Sequence, residues 1–188
     1  LVNTPTISLP VGARFEARSY SGRQGNLTYK VYIPSTYRGE ALPLIVMLHG
    51  CKQSPDDFAA GTRMNEVAEE QGFLVAYPAQ SAKHNASNCW NWFRAGDQHR
   101  GRGEPELIAG MTRQIIHDFA VDANRVYIAA LSAGGAAAAI MGSAYPDIYA
   151  AIGVHSGLAR GAASDVTSAF AAMNYGGPSA AATCNTVV

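Results

Sequence analysis

The sequence predicts an α/β fold in which helices cover both faces of a mostly parallel central sheet. Strand-sized apolar runs at residues 44–48, 73–77 and 126–131 alternate along the chain with segments of helical periodicity. Such alternation favours parallel strands joined by right-handed crossovers. A length of 188 residues leaves room for one domain.

Charge and hydropathy limit the partners. The chain has 14 Lys and Arg against 14 Asp and Glu, so it lacks the basic excess of proteins that bind nucleic acid or anionic lipid. Its longest apolar runs are far shorter than the roughly 20 residues that cross a bilayer. We therefore expect neither nucleic acid nor a membrane as a partner.

The first elements are a hairpin and a buried strand. Residues 14–20 and 27–33 alternate in character and are separated by a polar, glycine-bearing connection, which predicts a β-hairpin. Residues 44–48 are apolar at every position, as in a strand covered on both faces. Ser54 and Pro55 then predict the start of a helix that continues to Gly72.

A long polar segment separates the next strand from the second half of the chain. The strand at 73–77 is predicted to end at Pro78. Residues 79–103 show no clear period and contain the aromatic cluster Cys89-Trp90-Asn91-Trp92-Phe93. A loop of this length in a compact domain is usually functional.

The second half continues the alternation. A helix is predicted over 104–120 and a strand over 126–131. An alanine-rich helix follows and ends near residue 145, before a strand at 149–154. A last helix is predicted over 164–173.

The segment Ala130-Leu131-Ser132-Ala133-Gly134 is the strongest functional signal. A serine between small residues, at a turn from an apolar strand into a helix, is typical of a nucleophile elbow that exposes its Oγ. The helix that begins there presents a free N–H at Ala133, which can stabilise an oxyanion. The alternative is a helix N-cap serine, because this short pattern arises often in alanine-rich sequences.

A second segment favours the nucleophile interpretation. His49-Gly50-Cys51 directly follows a buried strand, where an α/β-hydrolase places the other oxyanion donor. We therefore predict Ser132 as the nucleophile, with the N–H groups of Cys51 and Ala133 as the oxyanion hole. A cysteine nucleophile is disfavoured, since Cys51 is expected to contribute its backbone.

The general base is not evident in the sequence. His49 precedes Ser132, whereas this fold orders its triad as Ser, acid and His, so we expect the His49 ring to hold the loop through backbone hydrogen bonds. Asp147 and His155 follow Ser132 in the right order. Their separation of eight positions, with His155 at the end of the very next strand, does not fit a triad.

Several motifs together resemble the polyhydroxybutyrate depolymerase family of esterases, which includes secreted feruloyl and acetylxylan esterases. The resemblance covers roughly residues 15–160. It implies an α/β-hydrolase fold and a Ser-Asp-His triad that cleaves carboxylic esters through an acyl-enzyme, without a cofactor. The motifs are His49 to Phe58, Gly72 to Pro78, Cys89 to Phe93, Leu131 to Gly135 and Gly153 to Gly157.

The sequence departs from the family at its end. In the family the acid and the His follow later strands, and no matching turn or second downstream His precedes Val188. We expect residues 1–188 to be the N-terminal portion of a single catalytic domain, truncated before those strands. The C-terminal remainder, either a separate chain or a further segment, is then a partner that supplies the Asp and the His.

The candidate substrate-binding residues are Trp90, Trp92 and His49. In an extended segment the two tryptophans face the same way, so either could form a wall of the acyl or aryl pocket. The alternative, favoured for Trp90, is that they pack the long loop against the sheet.

The resemblance implies a disulfide between Cys51 and Cys89, with Cys184 left to pair with the missing segment. A disulfide indicates a secreted or periplasmic protein, whereas in the cytosol the same residues would be reduced and buried. The His and Cys positions lack the spacing of a zinc site, and no dinucleotide or P-loop motif follows a strand, so no metal or cofactor is expected.

These observations predict a serine carboxylic ester hydrolase. Its expected substrates are short-chain, hydroxyalkanoate or plant cell-wall esters, the last being feruloyl or acetyl esters. The alternative from another class is a catalytically inactive hydrolase-fold module that binds a ligand or partner.

Overall fold

The structure, a computed structural model, describes residues 7–177. Six strands and five α-helices lie in this part of the chain, together with a short 3-10 helix at Ala95–Gln98. The strands are β1 Arg14–Gly22, β2 Gly25–Ile33, β3 Leu44–Leu48, β4 Leu74–Ala79, β5 Val126–Leu131 and β6 Ala151–His155. The helices are α1 Pro55–Thr62, α2 Met64–Gln71, α3 Gly103–Asp118, α4 Ala133–Ala144 and α5 Val166–Tyr175.

The strands form one sheet in the order β1-β2-β4-β3-β5-β6. The hairpin pairs antiparallel, and β2 pairs antiparallel with β4. Strands β4, β3, β5 and β6 are parallel, which confirms the predicted mostly parallel sheet. The carboxyl ends of these four strands meet at one edge, so the residues that follow them are brought together.

Helices pack on both faces of the sheet. One face carries α3 and α4 over alternate residues of the strands, such as Val46 and Ile128, which are fully buried. The other face carries α1 and α2 over the intervening positions, such as Met47 and Val75. This two-sided burial explains why β3 and β4 are apolar at nearly every position.

The single helix predicted from Pro55 to Gly72 is wrong, because the structure has two. Ser54 caps α1 in a capping box with Asp57, as its sequence indicates. Arg63 then adopts a left-handed conformation with φ of 53°, which ends α1 and begins α2. Gly72, also left-handed, ends α2 at the predicted position.

The prediction that β4 ends at Pro78 is also wrong. Pro78 lies within β4, opposite Tyr29 of β2. On its other side β4 pairs with β3 only as far as Ala76, so the missing N–H of Pro78 removes no hydrogen bond from that side.

Strand β6 forms one edge of the described sheet. It begins two residues later than predicted, and all five of its residues are exposed, including Ile152 at 44% and Val154 at 42%. Beside it, on the face of α1, lies an open hollow of about 450 Å³. Cys184 lies outside the described residues. Within residues 7–177, no helix has the length and apolar character needed to span a bilayer.

Candidate active site

Ser132 occupies a strained turn between β5 and α4. Its backbone has φ of 57° and ψ of −121°, a conformation that is costly for any residue with a side chain. The residue is exposed, although Ala130 before it and Ala133 after it are buried. The turn therefore presents the hydroxyl at the carboxyl edge of the sheet, as a nucleophile elbow does.

The start of α4 packs directly against the end of β3. A Cβ on Gly134 would lie 2.4 Å from the carbonyl oxygen of Leu48 and 2.6 Å from that of His49, so only glycine fits. A Cβ on Gly50 would lie 3.6 Å from the Cβ of Ser132. These contacts bring the loop after β3 alongside the serine. We refer to residues 49–53 as the oxyanion loop.

Two backbone N–H groups at this junction have no hydrogen-bond partner among residues 7–177. Ala133 is the first residue of α4, where an N–H has no intrahelical partner. The N–H of Cys51 donates no hydrogen bond to any group within residues 7–177. Both predicted oxyanion donors are thus available next to Ser132, one on each of the two segments that glycine brings together.

The buried ring of His49 fixes the oxyanion loop. Its Nδ1 donates to the carbonyl oxygen of Gly50 at 2.7 Å, and its Nε2 accepts the backbone N–H of Gln80 at 3.1 Å. Burial lowers the pKa of His49, which keeps the ring neutral as these bonds require. Because a trans peptide directs its C=O and N–H oppositely, the Cys51 N–H points away from the ring.

The described residues bring no general base to Ser132. Its Oγ has no hydrogen-bond partner in the described part of the chain. His155 is exposed, and its Nδ1 lies 3.0 Å from Ser156 Oγ. Asp147 precedes β6, whose last residue is His155, so the two residues lie at opposite ends of that strand. The carboxylate of Asp147 accepts two hydrogen bonds from Arg100. In the described part of the chain, Asp147 and His155 therefore do not pair with each other beside Ser132.

A disulfide joins Cys51 of the oxyanion loop to Cys89 of the 79–103 segment. The adjacent backbone adds a hydrogen bond from Lys52 N–H to Ser87 O at 2.7 Å. The pairing that the family resemblance implied is therefore present. It ties the oxyanion loop to the long loop next to the nucleophile.

An apolar cavity of about 510 Å³ opens beside Ser132. The oxyanion loop and Trp92 form one side of it. Helix α5 forms another side with residues on one face, of which Val166, Phe170 and Met173 are 53%, 60% and 56% exposed. The cavity can accept an apolar group attached to a carbonyl at Ser132.

Only one of the three predicted substrate-binding residues lines this cavity. Trp90 and His49 are each 1% exposed, and their rings lie on the buried side of the oxyanion loop, where Trp90 Nε1 donates to His49 O at 3.1 Å. A turn closed by Arg94 N–H to Asn91 O breaks the extended geometry that would make the tryptophans face the same way. Trp92 instead packs edge-on against its neighbour Phe93, at the cavity.

Three polar residues behind these loops, Gln80, Asn91 and Glu104, are not predicted as functional by the sequence. Glu104 at the start of α3 accepts hydrogen bonds from Gln80 and Asn91. Gln80 directly follows β4, just as His49 follows β3 and Ser132 follows β5. A polar residue at the carboxyl end of a central parallel strand was the available signal.

Comparison with known proteins gives one family. The family model described as "Esterase PHB depolymerase" matches residues 27–186. The poly(3-hydroxyalkanoate) depolymerase C of Paucimonas lemoignei is 34% identical over 90% of this chain and 40% of its own length. Feruloyl esterase B of Neurospora crassa is 30% identical over 77% of this chain and 49% of its own length.

Solved structures support the fold. The acetyl xylan esterase from Aspergillus awamori superposes with a TM-score of 0.75 at 22% identity, over 82% of this chain and 56% of the esterase. This likeness shows an α/β-hydrolase fold. The chain spans about half, or less, of the length of the curated relatives named above.

Proposed function

The chain belongs to the esterase PHB depolymerase family, and from this premise we propose that it carries the nucleophile and the oxyanion hole of a serine carboxylic ester hydrolase. The observation that carries the proposal is the strained, exposed Ser132 with two free backbone N–H groups beside it. A serine that served only as a helix N-cap would accept a hydrogen bond from the first turn, and Ser132 makes no such bond.

In the proposed reaction, Ser132 Oγ attacks the ester carbonyl while a base takes its proton. The carbonyl oxygen becomes an anion that the N–H groups of Cys51 and Ala133 stabilise. The base then gives the proton to the alcohol oxygen, the ester C–O bond breaks, and the alcohol leaves an acyl-serine behind. Water then attacks the acyl-serine by the same steps, which releases the carboxylic acid and restores the hydroxyl.

We propose that the triad Asp and His come from a further segment of the same domain, beyond Val188. This proposal is supported by the free Ser132 Oγ and by the share of each relative that the chain covers, between 40% and 52% for the first four. The exposed edge of β6 can pair with an additional parallel strand, which would place its carboxyl end beside Ser132.

The cavity supports an ester with an apolar acyl or aryl part. Most of its lining residues are aromatic or aliphatic, with Lys52 and a few polar residues among them, which suits a short-chain, hydroxyalkanoate or feruloyl ester. We further propose an oxidising compartment, secreted or periplasmic, since the disulfide would be reduced in most cytosols. No cofactor is needed for this reaction.

Labelling with a fluorophosphonate tests the proposal in the natural full-length protein. We expect one label per chain, at Ser132, and hydrolysis of p-nitrophenyl esters that falls on the order of 10⁴-fold or more in Ser132→Ala. Ser143→Ala is the control, because Ser143 is an exposed serine in α4 outside the site. A protein that binds esters but neither reacts nor hydrolyses them would instead be an inactive hydrolase-fold module.

A further inference from the structure

The carboxylate of Glu104 lies at the centre of a polar cluster beneath the active-site loops. Its Oε1 accepts hydrogen bonds from the side-chain amides of Gln80 and Asn91. Its Oε2 accepts the backbone N–H of Asn91 at 2.7 Å. One carboxylate at the start of α3 therefore joins the beginning of the 79–103 segment to its middle.

Gln80 connects this carboxylate to the oxyanion loop. Its side chain also donates to Cys89 O at 3.0 Å, and its backbone N–H donates to His49 Nε2 at 3.1 Å. The other ring nitrogen of His49 donates to Gly50 O at 2.7 Å. A continuous path of contacts thus runs from the carboxylate to the peptide group that carries the Cys51 N–H.

We propose that Glu104 is a positioning residue for the oxyanion hole. Through Gln80 and His49 it fixes the direction in which the Cys51 N–H points. The proposal rests on the function proposed above, because it requires Cys51 to donate to the oxyanion. Glu104 contacts the loops and not Ser132, so its effect on catalysis is indirect.

A carboxylate suits this place because all three groups that face it are donors. Burial raises the pKa of Glu104 to about 7, and the negative charge of Asp97, whose Oδ1 accepts the Glu104 N–H at 2.7 Å, also raises it. Burial also raises the pKa of Asp97, whereas the charges of Arg94 and His84 lower it. The three donors favour the ionised form. Above neutral pH the cluster therefore holds a carboxylate that accepts every hydrogen bond offered.

Glu104→Gln is the sharpest change. Glutamine has the same shape and keeps one acceptor oxygen, which can still accept from the side chains of Gln80 and Asn91. Its Nε2, however, replaces the oxygen that accepts the Asn91 N–H. Because two donors then face each other, the loop must shift. Glu106→Gln is the matched control. Glu106 lies in the same turn of α3, but it accepts from Tyr145 and not from the loop.

The experiment compares these variants with the wild type in the natural full-length protein at pH 8. The measurements are the rate of fluorophosphonate labelling at Ser132 and the steady-state hydrolysis of p-nitrophenyl acetate. We expect Glu104→Gln to lower the labelling rate and kcat about tenfold with KM within about twofold, because the loss falls on oxyanion stabilisation. Glu106→Gln keeps wild-type values. Labelling of Glu104→Gln at the wild-type rate overturns the proposal.

A second variant decides the case in which Glu104→Gln does not fold. Gln80→Met removes the side-chain amide and keeps the backbone N–H to His49. We expect a loss of about threefold in labelling rate from Gln80→Met alone. Where Glu104→Gln also folds, the double variant should be no slower than Glu104→Gln, since both changes act along one path. An unchanged Gln80→Met, or additive losses, overturns the positioning role.

The same assay separates the positioning role from the proposed function. If wild-type Ser132 does not react while a reference serine hydrolase does, the proposed function fails and the positioning role fails with it. If the wild type reacts and Glu104→Gln reacts equally well, only the positioning role fails.

Discussion

The two sides of Ser132 differ in how completely the described chain builds them. On the oxyanion side, both ring nitrogens of His49 are hydrogen-bonded and a disulfide holds Cys51. On the side of β6, every residue of the strand is exposed, and Ser132 Oγ has no partner within residues 7–177. The described residues hold the oxyanion donors in place on one side, whereas on the other side they supply no partner for the Ser132 hydroxyl.

The difference has a physical reason. An oxyanion hole stabilises charge only if its donors are aligned before the charge develops, and backbone N–H groups are aligned by the fold around them. The supporting groups therefore lie in the same region of the chain as the donors. A general base acts through one side chain, so a separate segment that docks at the edge of the sheet can supply it.

Gly134→Ala tests the rigid side and has the largest expected effect among the variants that compare the two sides of Ser132. The new Cβ would meet the carbonyl oxygens of Leu48 and His49 at 2.4 and 2.6 Å, so α4 and the oxyanion loop must separate. We expect a loss of activity on the order of 100-fold and of about 3 kcal/mol in the free energy of unfolding. Esterase assays and urea unfolding measure these losses.

Gly96→Ala is the control for that variant, since a Cβ on Gly96 meets nothing within 4 Å. It should keep activity within about twofold and the free energy of unfolding within about 0.5 kcal/mol. Equal behaviour of the two variants would mean that close approach at Gly134 is not required.

Loss of the disulfide tests how the oxyanion side is held. The bond closes a loop with a sequence separation of 38, so Cys51→Ser/Cys89→Ser should lose about 2–4 kcal/mol in the free energy of unfolding. Urea unfolding of the oxidised protein measures the difference. Denatured, unreduced protein should show at most one free thiol among Cys51, Cys89 and Cys184, and three free thiols would contradict the bond.

The pH dependence of stability tests the buried carboxylate. The pKa of Glu104 is raised from 4.5 to about 7, so the folded state binds its proton more tightly than the unfolded state. The contribution of this group to the free energy of unfolding is fully present below about pH 4.5. It falls by on the order of 2–3 kcal/mol as the pH rises through about 7. The unfolding free energy of the wild type relative to Glu104→Gln should fall across this window. A constant difference would contradict the raised pKa.

Asp147→Asn and His155→Ala test the open side and have the smallest expected effect. Within residues 7–177 neither side chain forms a hydrogen bond with Ser132: Asp147 accepts from Arg100, and the ring of His155 contacts Ser156 Oγ. Hydrolysis by the full-length protein should stay within about threefold of the wild type for both variants. A loss of 100-fold or more in both would show that this pair is the missing acid and base.

Features that depend on local pattern could be predicted from the sequence. Strands β3 and β5 have the predicted bounds, because unbroken apolar runs of strand length are buried on both faces. The turn at Ser132 follows from small residues between a strand and a helix. The left-handed backbone of Arg63 had no such signal, because nothing in its local sequence distinguishes it from a residue inside one continuous helix.

Features that depend on distant pairing could not be predicted. Pro78 belongs to β4 because of the register against β2, which the sequence does not specify. The hydrogen bonds of Glu104 join it to residues 24 and 13 positions away. From the sequence alone, a glutamate at this position predicts only the acidic residue that is common in the first turn of a helix. The turn after Asn91 likewise separates Trp90 from Trp92, although their spacing in an extended chain places them together.

The separation of the two tryptophans provides a built-in optical reporter. They are the two indoles of these 188 residues, one buried behind the oxyanion loop and one at the wall of the cavity. A ligand that enters the cavity should quench the fluorescence of Trp92, whereas a rearrangement of the loop should change the emission wavelength of Trp90. Trp90→Phe and Trp92→Phe would then distinguish substrate entry from loop movement in one spectrum.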